Sequence, residues 1–316
     1  MRLRGARVLV TGGTGFVGRN LIPELLEAGA EVVAPTRAQY DLLEQSAVRQ
    51  MMADVAPDAV VHLAGLVGGV LANEQRPADF YYQNLAMTTH VMHEAWRSGA
   101  GKFLTLIGGC SYPAGSPSPL SEDDLWAGYP YPGDAPYALA KRVAVVQAQA
   151  YRRQHGFNAV VLLPGNLYGP HDNFELGGSH VVPALVRKVH EAKIGRAPNV
   201  VAWGTGRPRR DFVYVGDACR AIAHALAAYD ADDVVNISSG VATSIRELVD
   251  TVVEVVGYDG AVVWDSAKPD GTFEKVFSTA RMREVLGVDC PTSLKDGTRL
   301  TYEWFAPRYS QGAVRL

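Results

Sequence analysis

Tyr137 and Lys141 stand four residues apart in the run Tyr137-Ala-Leu-Ala-Lys141, and side chains at that spacing share one face of a helix. A free phenol titrates near ~10. A fixed ammonium beside it favours the phenolate and lowers that value, as acid–base work at neutral pH requires. Such pairs also occur on solvated helix faces, so this one takes its meaning from the glycine-rich start Thr11-Gly-Gly-Thr-Gly-Phe-Val-Gly18. Apolar residues 8–10 read as a buried strand and residues 16–26 have helical spacing, with Gly12, Gly15 and Gly18 at the turn they share. Glycine there keeps the turn tight, lets backbone N–H groups approach a pyrophosphate and lets helix pack on strand. The helix N-terminus adds partial positive charge for the phosphates. Downstream of such a nucleotide-binding start, the acid–base pair becomes a strong signal.

Those residues need a scaffold that brings position 12 to position 141. Further strands are expected over residues 31–35, 59–64, 102–107 and 159–163, with helices over 80–95 and 136–151. Alternating strands and helices predict the α/β class: a doubly wound parallel Rossmann sheet with ligands at the carboxyl ends of its strands. Residues 1–165 are expected to form this dinucleotide-binding domain. Residues 166–316 are expected to form mainly a smaller α/β substrate lobe, with about 212–235 returning to the sheet domain. Loop-rich stretches 166–178, 203–211 and 268–271 belong to that second part, and long loops in compact proteins are usually functional or mobile.

The chain has 316 residues, 47% hydrophobic and 20% charged, an ordinary soluble composition with ample material for a core. A net charge of -3 gives no reason to expect nucleic acid or an anionic membrane as partner. No apolar stretch reaches the ~18–20 residues of a membrane span. Cys110, Cys219 and Cys290 are sparse, odd in number and without metal-ligand spacing, which suits a reducing cytoplasm and predicts no metal. Met1-Arg-Leu-Arg runs straight into the first strand, so no targeting segment is expected.

The glycine triplet, the Tyr/Lys pair and Cys110-Ser-Tyr112-Pro113 resemble the extended short-chain dehydrogenases/reductases that act on nucleotide sugars, and most nearly the GDP-L-fucose synthase family. The likeness continues through Val67-Gly-Gly-Val70, Pro77-Ala-Asp-Phe80 with Gln83-Asn84, and Asn166-Leu-Tyr-Gly-Pro-His-Asp-Asn-Phe174. It extends to Ser179-His-Val-Val-Pro-Ala-Leu185, Trp203-Gly-Thr-Gly206 with Arg210-Asp-Phe212, Lys268-Pro-Asp-Gly271 and Thr301-Tyr-Glu-Trp-Phe305. The resemblance implies NADPH-dependent epimerisation at C3 and C5 of a GDP-4-keto-6-deoxy-hexose and reduction at C4. It implies that Tyr137 gives a proton to the C4 oxygen, that Lys141 holds the nicotinamide ribose, and that Cys110 and His180 move protons at C3 and C5. It places Gly12, Thr14, Gly15, Phe16, Val17, Gly18, Arg37, Ala64, Asn84, Tyr137, Lys141, Pro164, Asn166 and Leu167 at the cofactor. It places Ser111, Asn166, Lys188, Trp203, Arg210 and Asp270 at the GDP-sugar. Trp203 either stacks on the guanine or fills core. A homodimer joined through helices of the sheet domain is also implied.

Cofactor choice has its own signal. An NAD site usually carries an acid at the end of the second strand. Here that strand ends Pro35-Thr36-Arg37, with no acid until Asp41. A cation and a hydroxyl suit a 2′-phosphate, so NADP(H) is expected, with NAD(H) the lesser alternative. One position departs from the family pattern: where a Ser or Thr should precede Cys110 by two residues, Gly108 stands. Losing one donor to a developing oxyanion costs on the order of 10²–10³ in rate. Ser111 or a water substitutes, or the substrate differs near C4, or reduction is impaired. The last case leaves a redox-neutral GDP-sugar epimerase as the alternative function.

Overall fold

The computed structural model describes residues 1–268 and 270–316. Pro269, within the 268–271 segment, lies outside the described residues. The first part of the chain runs β1 (Arg7–Thr11), α1 (Phe16–Glu27), β2 (Glu31–Val33), α2 (Gln45–Val55), β3 (Ala59–His62), α3 (Val70–Gln75), α4 (Pro77–Arg97), β4 (Lys102–Leu106), α5 (Ala135–His155) and β5 (Ala159–Pro164). There follow β6 (Asn166–Tyr168), α6 (Val181–Ile194), β7 (Asn199–Trp203), β8 (Arg209–Arg210), β9 (Phe212–Tyr214), α7 (Val215–Ala228) and β10 (Val235–Ile237). The chain closes with β11 (Thr243–Ser244), α8 (Ile245–Val256), β12 (Ala261–Asp265), β13 (Glu274–Lys275) and α9 (Leu294–Ser310).

Six strands form one parallel sheet in the order β10-β5-β4-β3-β1-β2. The order reverses beside β1, with β2 on one side and β3 on the other. A ligand crevice opens at such a switch point. Successive residues of β1 serve opposite faces: Val8 and Val10 pack toward α1 and α7, Leu9 toward α2, α4 and α5. Strands buried on both faces read as continuous apolar runs, which is why 59–64 and 159–163 were legible. β10 pairs with β5 and α7 packs on α1, so residues 212–237 complete the sheet layer after the chain has left it.

The second core gathers α6, α8 and α9 around Val186, Leu248 and Phe305, with β7 paired to β12 beside them. Short strands join the parts: β6 pairs with β9, and β8 lies between β11 and β13. Element ends differ from expectation for local reasons. β2 stops at Val33, before Pro35, which has no N–H to donate. α4 begins earlier, at Pro77 in the first turn, where proline is tolerated. α5 continues to a left-handed cap at Gly156.

Candidate active site

The glycine turn is built for a close approach. Gly12 has φ +72, and a Cβ there would stand 2.6 Å from the Ala64 nitrogen. A Cβ on Gly18 would stand 2.5 Å from the Gly12 carbonyl oxygen, so helix and turn touch only because both positions are bare. Gly15 caps α1 without a side-chain hydrogen bond, leaving the first N–H groups of the helix for a ligand. A cavity of about 290 Å³ opens there, lined by Gly12, Thr14, Gly15, Thr36, Arg37 and Ala64 among others. A bare cradle, an uncapped helix end and a cation beside them fit the pyrophosphate and adenosine phosphate of a dinucleotide. Phe16 and Val17 pack their side chains against the sheet core, and Pro164 ends buried β5. The Asn84 amide accepts from the Leu66 N–H and donates to the Leu66 and Phe80 carbonyls, holding the loop that lines the cleft.

Tyr137 and Lys141 lie on the first turns of α5. Lys141 is buried and runs beneath Gly65, where a Cβ would stand 3.2 Å from Nζ and 2.9 Å from Asn84 Oδ1. Burial pulls the ammonium down to about 8, with Cys110 opposing. The spacing predicts a lowered Tyr137 pKa, and this is corrected: burial first, then Cys110 and Asp134, push the phenol up. Desolvation disfavours the phenolate, so the resting phenol keeps its proton and is a donor.

Gly108 and Cys110 face Tyr137. A Cβ at Gly108 would lie 3.2 Å from Cys110 Sγ, 3.7 Å from Tyr137 Cε1 and 3.9 Å from Tyr137 Oη. Burial, with help from Asp134, pushes the Cys110 thiol up to about 12 against Lys275 and Lys141. Ser111 does not fill the gap. β4 has ended by then, yet Ser111 is fully buried, its hydroxyl donates to the Ala138 carbonyl, and its own carbonyl accepts from Arg142. Its bonds anchor the turn to α5.

A second cavity of about 250 Å³ is lined by Asn166, Leu167, His180, Trp203, Arg210 and Asp270 among others. His180 caps α6 without using its side chain, and desolvation lowers its pKa. Desolvation thus favours the neutral imidazole, which can accept a proton, and the protonated Cys110 thiol, which can give one. Trp203 is 62% exposed, which rules out the core role; Lys188 Nζ lies 4.8 Å and Lys268 Nζ 5.3 Å from its ring centre. Asp270 accepts from the Thr205 N–H and hydroxyl, fixing the turn after Trp203. The Asn166 amide donates to the Asp211 carbonyl.

Two contributors escaped sequence reading. Lys275 enters the site because β13 pairs with β8 beside Arg210, and its charge acts on Cys110. Its one signal was its place just after the 268–271 run. Asp211 is fully buried, and its carboxylate accepts from Ser238, Ser239, Gly240 and Phe277. It ties the segments carrying Arg210 and Lys275 to the end of β10. Only its position between Arg210 and Phe212 marked it.

Residues 8–238 match the NAD dependent epimerase/dehydratase family. A probable GDP-L-fucose synthase 1 of Oryza sativa subsp. japonica is 42% identical over 304 residues, 96% of this chain and 92% of that one. A GDP-6-OMe-4-keto-L-xylo-heptose reductase from C. jejuni superposes with TM-score 0.91 at 28% identity, covering 98% of this chain and 99% of its own. A GDP-L-fucose synthetase from Naegleria fowleri, solved with NADP bound, gives TM-score 0.91 at 26% identity, covering 98% and 95%.

Proposed function

The chain belongs to the NAD dependent epimerase/dehydratase family, and from that premise we propose that it is an NADPH-dependent epimerase/reductase of a GDP-4-keto-6-deoxy-hexose. The observation that carries this reading is the convergence of Tyr137, Cys110 and the bare Gly108 on one point beside the cofactor cleft, with His180, Trp203 and Arg210 lining the adjoining cavity.

Bound in the first cavity, NADPH supplies a hydride. Arg37 and Thr36 receive its 2′-phosphate, the N-terminus of α1 its pyrophosphate, and Lys141 its ribose. In the second cavity Arg210 and Lys188 hold the diphosphate, and Trp203 offers an open ring face to the guanine. Tyr137 donates its proton to the C4 oxygen as negative charge grows there. The C4 carbonyl acidifies the protons on C3 and C5. His180 and Cys110 form the pair that removes and returns protons at C3 and C5, each regaining its starting protonation state between exchanges.

Exposed Tyr81, Tyr82, Val143 and Val146 on α4 and α5 support a homodimer through those helices, measurable by light scattering and broken by Val146→Lys. A cytoplasmic site of action rests on the sparse cysteines. Among the described residues no helix is long and apolar enough to cross a membrane.

The test is stoichiometry with GDP-4-keto-6-deoxymannose: one NADPH consumed per sugar converted supports the reading. Conversion of the sugar without consumption overturns it in favour of the redox-neutral epimerase that the bare Gly108 allows.

A further inference from the structure

We propose that the Cys110 thiol donates the second hydrogen bond to the substrate's C4 carbonyl, from the volume that a side chain at position 108 would otherwise fill. This deepens the reading above and rests on it. The two positions compete for one space, because a Cβ at 108 would come within 3.2 Å of Cys110 Sγ, closer than such atoms normally stand. The same point is 3.9 Å from Tyr137 Oη. The empty volume at position 108 thus borders both Sγ and Oη, and a carbonyl oxygen seated in it would face both groups. The backbone does not impose glycine, since Gly108 is extended with φ −93 and ψ 157. Nor do its neighbours replace it. Ser111 is spent on α5, and a side chain at Gly109 would meet Phe277 at 2.5 Å.

The chemistry is consistent with that place. Burial keeps the thiol protonated, so it offers S–H and no competing negative charge; S–H is a weak donor that strengthens as its acceptor becomes an oxyanion. In the reductive direction the hydride adds to C4, the carbonyl π pair moves to oxygen, and Tyr137 gives that oxygen its proton. The thiol keeps its own proton and the sulfur is not oxidised. The same bond polarises the ketone for proton loss at C3 and C5, so one side chain serves both halves of the reaction.

The decisive experiment runs the reduction backwards, oxidising GDP-L-fucose with NADP⁺, because the ketone then forms without epimerisation. Cys110→Ala should slow this step by about 10²-fold, the lower end for loss of one oxyanion donor. Adding Gly108→Ser to Cys110→Ala should restore most of the rate while deuterium exchange at C3 and C5 stays lost. A cofactor-free readout accompanies it. The carbon-13 signal of C4 in bound GDP-4-keto-6-deoxymannose should move upfield in Cys110→Ala and return in the double variant. Oxidation by Cys110→Ala at the wild-type rate, or no recovery when Gly108→Ser supplies a hydroxyl, overturns the proposal and leaves the functional reading standing. A wild-type protein inert toward these GDP-sugars in both directions overturns the functional reading, and this inference with it.

Discussion

Tyr137 is a donor in this site because burial, with Cys110 and Asp134 adding, holds its proton on. Tyr137→Phe keeps the ring and removes the donor. It should lower NADPH turnover by about 10²–10³-fold, the range for one positioned acid or oxyanion donor, with little change in cofactor affinity. Stopped-flow turnover and cofactor titration check both halves. Lys141 adds a pH dependence: folded, it loses its proton near about 8. Since the ammonium is the form that binds, kcat/KM for NADPH should be flat below that value and fall above it, and a profile unchanged to pH 10 would remove Lys141 from the ribose site. At this scale the sequence was most informative. Tyr137, Lys141, Gly12 and Gly18 were found from residue type and spacing because glycine and helical periodicity have local causes. The direction of Ser111 was not legible, because it depends on how the turn after β4 lies against α5, which no spacing reveals.

Elements carry the next level of causation. β3 ends at His62, whose ring bridges Thr11 Oγ1 at 2.8 Å and Thr88 Oγ1 at 3.2 Å, tying β1 to α4 under the cofactor cleft. Burial, with Lys141 adding, pulls this imidazole down to about 3 from its ordinary 6.5. Between those values the unfolded chain binds a proton that the native ring refuses, so stability is full above 6.5 and falls as pH drops toward 3. One group contributes at most about 1.4 kcal/mol per pH unit in that window. Denaturant titrations should show His62→Asn less stable at neutral pH but with a shallower acid slope. β8 and β13 depend on Asp211 in a similar way. Asp211→Asn places an amide donor among donors and should cost about 1–3 kcal/mol. It should also raise KM for the GDP-sugar more than it lowers kcat, because Arg210 and Lys275 lose their common anchor. The long strands and helices were legible as apolar runs and periodicity. The two-residue strands β8, β11 and β13 were not, because each is held by pairing with residues far away in sequence and none has a pattern of its own.

The whole molecule divides its labour by layer. On the proposed reading the parallel sheet carries the cofactor side and the second core the sugar-nucleotide side, and β10 returns to join the two through β5 and Asp211. Cofactor choice is a property at this scale, since Arg37 is open to solvent and, among the described residues, paired with Asp41 at 3.3 Å, a contact it can exchange for a phosphate. Arg37→Ser should raise the Kd for NADPH by about 10-fold or more, one charge-assisted contact's worth, and leave NADH unaffected by calorimetry. The α/β class followed from alternation of strands and helices. The packing of the second core did not, because its strands are short and its helices are joined by loops whose courses are set by tertiary contacts. That proton exchange and hydride transfer share one site despite the bare Gly108 is best checked in a single reaction in deuterated water. GDP-4-keto-6-deoxymannose and NADPH are supplied together, and the product is read by mass spectrometry and NMR. Reduced sugar carrying deuterium at both C3 and C5 is the outcome expected here. Deuterium in recovered ketone with no reduced sugar, or reduced sugar with no deuterium at carbon, would refute the shared site.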